Sequence, residues 1–378
     1  MLPSAAVVRV AGSAPRGRIS SLVFPMVTGN QLRCPGWQAD VLPGCPPQEP
    51  SDDRPIRWGI LATGGIAQAF AQDLALPPDC EVAAVGSRSQ APADAFGDEF
   101  GVPHRHASYQ ALVSDPDVDA GYVPAPHPGH HDAALLAINA GKAVLAEKPF
   151  AMDAAQAREM IDAARPGNVP HGSNVDAVPA AHCAGVADPR RQNARRCRLP
   201  DRRARAVVRP RSAVPAVRAG TGRRALLDLG IYPVSFASLV PGVPTRITAV
   251  SHPAFTGVDA TTSMIFQYDS GAHAVLTTTL LAASGNPAAI YGTAARIETD
   301  GWFCTPAAFR VIARDGTELE HFEQPYEGRG LRGQAAEAGR CLRAGLPESP
   351  LLPLDETSTI MQAMDEVRRQ IGLSCPPA

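Results

Sequence analysis

The sequence contains no apolar run approaching the roughly 18 residues that a membrane-crossing helix needs, so no span of a bilayer is expected. Its eight cysteines, at 34, 45, 80, 183, 197, 304, 341 and 375, form no Cys-x-x-Cys pair and no metal-ligand spacing. A disulfide framework is therefore not expected, and a reducing cytoplasm is the default compartment. Charged residues are scarce, 19% against 45% hydrophobic, which excludes a highly charged disordered chain. A secretory leader is not expected either, because Arg9, Arg16 and Arg18 interrupt the only candidate stretch. Residues 1–53, with a Pro-rich stretch at 41–50, show no sustained periodicity and read as a disordered extension or a wrongly assigned start. What remains of the 378 residues has room for two domains, each with its own core.

From Arg54 the texture changes. Strand-like runs at 56–61, 81–87, 118–123 and 143–146 alternate with helical stretches running to Leu76 and over 91–100 and 132–140. That alternation predicts a doubly wound parallel sheet over 54–165. Residues 225–240 read as a helix. Strand-like runs follow at 245–252, 261–268, 272–281 and 288–297, with Asp269-Ser270-Gly271 as a hairpin turn. These predict a largely antiparallel sheet domain over 225–353. Helices near 333–344 and 355–371 close the chain, the last forming a C-terminal helical unit at 354–373 with Ile360, Met364, Val367 and Ile371 on one side.

Between the two halves, residues 166–224 are chemically foreign. They hold thirteen arginines, three aspartates and no lysine or glutamate, about +10 in a chain whose net charge is −2. A nucleic-acid-binding segment would interleave aromatic residues for stacking, and none is present. A disordered insertion is a second alternative. The favoured reading is a frameshifted stretch of a GC-rich gene: Gly222-Arg223-Arg224 can be written GGG CGG CGG, which one base along reads Gly-Gly-Gly.

The segment 56–76 has the strand, tight turn and helix of a dinucleotide-binding unit, in which glycines let the backbone approach a pyrophosphate at a helix N-terminus. Its turn, Ala62-Thr63-Gly64-Gly65-Ile66-Ala67, has alanine in place of the first glycine. At the end of the second strand, where NAD-selective sites prefer a carboxylate, stand Ser87 and Arg88. A serine–arginine pair can bind and neutralise a 2′-phosphate, so NADP(H) is favoured and NAD(H) kept as the alternative. Glu147-Lys148-Pro149 ends another strand, and a lysine beside a nicotinamide can hydrogen-bond a substrate hydroxyl. No metal ligands are assigned, because the histidines around 127–131 lack a carboxylate at ligand spacing.

The Gly turn, Pro126-His127-Pro128 with His130, Glu147-Lys148-Pro149, the later Asp228-x-x-x-Tyr232 and Leu354-Asp355-Glu356-Thr357 together resemble the Gfo/Idh/MocA oxidoreductases, over about 54–165 and 225–373. Within that family the chain looks like the branch of trans-dihydrodiol dehydrogenases, NADP-dependent xylose dehydrogenases and glucose–fructose oxidoreductase. The resemblance implies an α/β fold: an N-terminal Rossmann domain followed by an α+β domain with a large open, mostly antiparallel sheet. It implies Lys148, Tyr232 and Asp228 as catalytic residues. It further implies Ala62, Thr63, Gly64, Gly65, Ile66, Ser87, Arg88, His127, His130, Glu147 and Lys148 around the cofactor. Homodimers or homotetramers through the open sheet are implied, with neither nucleic acid nor membrane as a partner.

The expected activity is an NADP(H)-dependent hydride transfer to or from a carbinol or carbonyl carbon of a sugar, cyclic polyol or trans-dihydrodiol. Tyrosine, near pKa 10, works as an acid–base group at neutral pH only if a cation such as Lys148 stabilises its phenolate. Two rivals stand beside this expectation. A non-catalytic NAD(P)-binding protein would tolerate loss of Lys148 or Tyr232, and both are present. An inactive product of a frameshifted gene would lack the part of the substrate pocket that 166–224 should build.

Overall fold

The computed structural model describes residues 54–373 apart from 76–78, 166–170, 175–204, 209–224, 256, 283–285, 301–302, 304–307 and 324–327, with 171–174 and 205–208 described as backbone strands. The expectations for 1–53, and most of those for 166–224, therefore lie outside the described residues.

The first half runs β1 (Ile56–Leu61), α1 (Gly65–Leu74), β2 (Cys80–Gly86), α2 (Gln90–Phe100), β3 (His104–His106), α3 (Tyr109–Val113), β4 (Ala120–Val123), α4 (His130–Asn139), β5 (Ala143–Glu147), α5 (Ala154–Ala164) and β6 (His171–Asn174). The six strands pair in the order β3-β2-β1-β4-β5-β6, every pair parallel. Strand period sends alternate side chains to opposite faces. Ile56, Trp58, Ile60, Ala120, Tyr122, Ala143 and Leu145 enter one core with Phe70 and Phe96, whereas Leu61, Val123, Val144 and Ala146 enter the other with Ala134, Ala137 and Met160. Both faces of the sheet are thus covered, as buried parallel strands require. Gly59 keeps β1 close to its neighbours, since a Cβ there would lie 2.9 Å from both Leu112 and Val118.

The second sheet draws β7 (Arg205–Val208), β8 (Arg246–Pro253), β9 (Asp259–Gln267), β10 (His273–Thr279), β11 (Ala288–Tyr291), β12 (Ala295–Asp300), β13 (Ala308–Ala313) and β14 (Glu318–Glu323) into the order β14-β13-β12-β11-β7-β10-β9-β8. It is antiparallel except where β10 meets β7. The hairpin expected at Asp269-Ser270-Gly271 is present, with Gly271 at φ +76. The run expected as one strand over 288–297 is two strands, because the chain reverses at Gly292, whose N–H donates to the Ala295 carbonyl at 2.9 Å. The helix expected over 225–240 begins as a π-wound turn, Ala225–Gly230, and continues as α6 (Ile231–Leu239).

Two strands of the arginine-rich segment belong to the sheets: 171–174 closes the first and 205–208 lies inside the second. α7 (Leu331–Arg343), grouped from sequence with the second sheet, instead packs Leu331 and Ala335 into the core under α1. Asp73, buried on α1, fixes that docking by accepting from the N–H groups of Arg329 and Leu331 at 2.9–3.0 Å. α8 (Leu354–Gln370) joins the halves: Asp365 accepts from Ala154 N–H at the start of α5, and the Gln370 amide pairs with Ile247 and Ala249 of β8. Among the described residues no helix is long and apolar enough to cross a membrane.

Candidate active site at the carboxyl ends of the parallel strands

In a sheet of this order the chain leaves in opposite directions on the two sides of β1 and β4, and the crevice between them lies at the strands' carboxyl ends. β1 delivers Ala62-Thr63-Gly64 there, and α1 starts at Gly65. α1 has no side-chain N-cap and no acidic residue in its first turn, so its first N–H groups and positive end are kept for an external anion. A Cβ on Gly64 or Gly65 would meet nothing within 4 Å, so open space surrounds the turn where a pyrophosphate must approach. Ile66 is half-buried against the core under α1, a packing position, and Ala62 is buried. These residues fit a dinucleotide.

β2 ends beside that turn. Ser87 donates its N–H to His106 of β3 at 3.0 Å and is half-buried; Arg88 is exposed. Tyr109, on α3, lies close enough to Arg88 to feel its charge: burial pushes the phenol's pKa up and the guanidinium partly opposes it. The end of β2 thus presents a hydroxyl and a cation and no carboxylate, with an aromatic ring nearby.

β5 carries Glu147 and Lys148 out of the sheet, and the Lys148–Pro149 peptide is cis. Because residues 143, 145 and 147 share a face, Glu147 turns to the same side as Tyr122 of β4. The phenol donates to Glu147 Oε1 at 2.5 Å, while Phe70 stacks on the ring. Oε2 of the same carboxylate accepts from the Lys148 N–H at 3.2 Å. Glu147 is therefore a buried brace behind Lys148, with side-chain contacts to Tyr122 and the Lys148 backbone.

Lys148 projects towards the helix that follows the π-wound turn. Its ammonium donates to the Asp228 carbonyl at 2.9 Å and to Asp228 Oδ1 at 2.8 Å, and stands over the Tyr232 ring, 4.9 Å from the centroid. Pro233, five residues after Asp228, has no N–H to offer that carbonyl, and the lysine donates to it instead. Burial by itself would pull the Lys148 pKa down; the Tyr232 and Asp228 oxygens outweigh it, and the net shift is upward. The turn is anchored from below. Buried Asp259 accepts from Leu226 N–H at 2.6 Å and Thr262 Oγ1 at 3.1 Å, and Thr278 Oγ1 donates to the Ala225 carbonyl. Gly230 permits close packing here, since a Cβ would come within 3.0 Å of Leu226 Cδ1.

The two loop histidines separate. His127 is half-buried, with Nε2 4.0 Å from Asp228 Oδ1, and joins the cluster. His130 is buried, its ring nitrogens 2.8 Å from the Pro149 carbonyl and 2.7 Å from that of Ala125. Burial holds its pKa below the ordinary histidine value, against the two carbonyls. Its role is to tie the loop after β4 to the loop after Lys148.

The structure thus brings together Lys148, Asp228, Tyr232 and His127, and sets Thr63, Gly64 and Gly65 with Ser87 and Arg88 along the same end of the sheet. Sequence reasoning missed Tyr122, Tyr109 and Asp259, for which no motif speaks. It also passed over a signal that was present: the chain has two lysines, Lys142 and Lys148. Lys142 is structural, donating to the carbonyls of Asp115 and Val118 at 2.8 Å.

Comparison with known proteins agrees with this geometry. Residues 56–174 match the family model described as "Oxidoreductase family, NAD-binding Rossmann fold", and residues 201–298 match the "GFO/IDH/MocA C-terminal domain". Similar proteins include the trans-1,2-dihydrobenzene-1,2-diol dehydrogenases of Xenopus laevis, 34% identical over 85% of this chain and 99% of that protein, and of Homo sapiens, 32% identical over 85% and 98%. Among solved structures, a 3-ketoreductase from Actinomadura kijaniata in complex with NADP superposes with a TM-score of 0.70 at 27% identity, covering 84% of this chain and 98% of that one. An ammonium–carboxylate–phenol cluster at the mouth of a dinucleotide fold, in a chain matched by both domain models of one family, identifies the protein as a member of the Gfo/Idh/MocA family, an NAD(P)-dependent dehydrogenase.

Proposed function

We propose that the protein is an NADP(H)-dependent oxidoreductase that interconverts a carbinol and a carbonyl carbon in a sugar, cyclic polyol or trans-dihydrodiol. The single observation that carries this reading is the Lys148 ammonium clamped by Asp228 over the Tyr232 ring. The nicotinamide, when bound, supplies or accepts the hydride. The chain's own residues handle position and proton. An ammonium has three protons; Asp228 takes two, and the third is directed to the substrate oxygen. Tyr232 gives the proton to, or takes it from, that oxygen, and Asp228 keeps the ammonium charged and aimed. His127 lines the same cluster, while His130 and Glu147 hold the loop and strand end that carry Lys148. The pair at the end of β2, half-buried Ser87 and exposed Arg88, supports the preference for a 2′-phosphate. A tyrosine-to-phenylalanine change at 232 keeps the ring that faces Lys148 and removes the proton. Steady-state kinetics should then show kcat reduced by about 10²–10⁴, with NADPH affinity by fluorescence titration unchanged; unchanged turnover refutes the role.

The names of the relatives, a trans-1,2-dihydrobenzene-1,2-diol dehydrogenase and a 3-ketoreductase, support a small vicinal diol or ketone as the substrate class. A screen of aldoses, ketoses and dihydrodiols with NADPH or NADP⁺ tests it. A reducing, cytoplasmic setting suits the free, buried thiols of Cys80 and Cys341. The segment 166–224 we read as translated from a shifted frame; a gene sequence without paired insertions and deletions removes that reading.

A further inference from the structure

Away from the Lys148 cluster, β3 and the turn after α3 place three metal-ligating side chains together: His104, His106 and Asp115. The two histidines are two residues apart on a strand and so face one side. His104 Nδ1 is 2.7 Å and His106 Nε2 2.9 Å from the same oxygen, Asp115 Oδ2, and the three donor atoms all lie within 4.8 Å of one another. The carboxylate is buried and fixed on every side. Its Oδ1 accepts from Asp117 N–H at 2.8 Å, and its own main-chain carbonyl accepts from Lys142. Beyond the ring, Asp117 Oδ2 lies 3.9 Å from His104 Nε2, while its Oδ1 pairs with Arg57.

We propose that His104, His106 and Asp115 form a binding site for a divalent first-row transition-metal ion of the zinc type. Two imidazoles and a carboxylate are the ligand set of such ions, whereas magnesium and calcium take oxygen alone. On binding, the ring protons now facing Asp115 move to the far nitrogens. That of His104 then points towards Asp117, the carboxylate behind a ligating imidazole that orients metal sites generally. With three protein ligands the remaining positions are filled by water. The site's role is structural: an ion there staples the three-residue edge strand to the turn that leads into β4. Through the His106 carbonyl, which accepts from Ser87 N–H, the staple also steadies the end of β2.

The test uses the full chain freed of metal by chelator dialysis, titrated with Zn²⁺ by calorimetry and with Co²⁺ by visible absorption. One ion per chain is expected to bind saturably. The Co²⁺ spectrum should show nitrogen and oxygen ligation without the thiolate charge-transfer bands that cysteine would give, and Zn²⁺ should raise the melting temperature. His104→Ala and Asp115→Asn should each lose the saturable uptake and the thermal shift. The His104 side chain is 39% exposed, so its removal leaves the fold intact, checked by circular dichroism and NADPH binding. The proposal is overturned if the wild-type chain takes up no ion saturably, if thiolate bands dominate, or if His104→Ala binds as tightly as wild type.

Discussion

Lys148 spends its working life charged. Burial opposes the ammonium, but Tyr232 and Asp228 outweigh burial and hold its pKa above the ordinary lysine value. A raised lysine pKa means the proton is kept below that value and lost only as the pH climbs through it, so Lys148 does not titrate across the neutral range. Asp228→Asn removes one of the charges that offset burial. The alkaline limb of its kcat/KM profile should therefore move to lower pH than in wild type, which a pH series read against Tyr232→Phe will show. Arg88 makes a separate prediction. A hydrogen-bonded charge pair with a 2′-phosphate is worth about 1.5–3 kcal/mol, roughly 10- to 100-fold in affinity. Arg88→Ala should weaken NADPH by that factor and leave NADH nearly unchanged, measured by fluorescence titration of both. The motif residues were legible because each advertises itself: glycines at a turn, a lysine between glutamate and proline. Tyr122 and Asp259 were not, because a buried brace is defined by the strand opposite it, and the sequence does not say which strand that is.

At the level of elements, His130 links two loops that surround Lys148. Its depressed pKa keeps the folded ring neutral while the unfolded ring binds a proton near its ordinary value of about 6.5. The unfolded state therefore gains protons first, and the stability this group contributes falls as the pH drops below about 6.5. His130→Ala should cost about 1–3 kcal/mol at pH 7.5 by leaving unmet the buried carbonyl that the neutral ring's one N–H serves. It should also flatten the loss of stability between pH 7.5 and 5.5 in thermal denaturation. Strands buried on both faces, such as Ile56–Leu61, could be read directly as short, nearly continuous apolar runs. β3 could not: His-Arg-His at a sheet edge has no apolar face to betray it. Nor could the π-wound turn at 225–230, where apolar residues fill nearly every position and period carries little information.

At the largest scale, the described residues form two sheets held by shared helices. α7 docks on the Rossmann helix α1 and α8 reaches from α5 to β8, so the C-terminal helices staple the halves together. The second sheet buries Met264, Phe266, Ala274, Leu276 and Ile290 on one face, while Val250, Ile265, Val275 and Tyr291 remain 40–67% exposed. Cross-strand pairing sets Ile265 directly beside Val275, an exposed apolar pair in the middle of the sheet's other face. We propose that a second copy of the chain covers it, giving a dimer or tetramer. Ile265→Lys with Val275→Glu should then shift the mass measured by light scattering to that of a monomer; an unchanged mass refutes the interface.

The near-absence of lysine has a practical corollary. Acylating reagents aimed at primary amines, and enzymes that mark them, find two side chains, and both are engaged: one fastened to backbone carbonyls, the other clasped by an acid above a phenol ring. Chemical tagging of this protein's side-chain amines is in effect a footprint of Lys142 and Lys148, and occupancy of the crevice should show as protection of position 148, against 142 as the internal reference, in a peptide map.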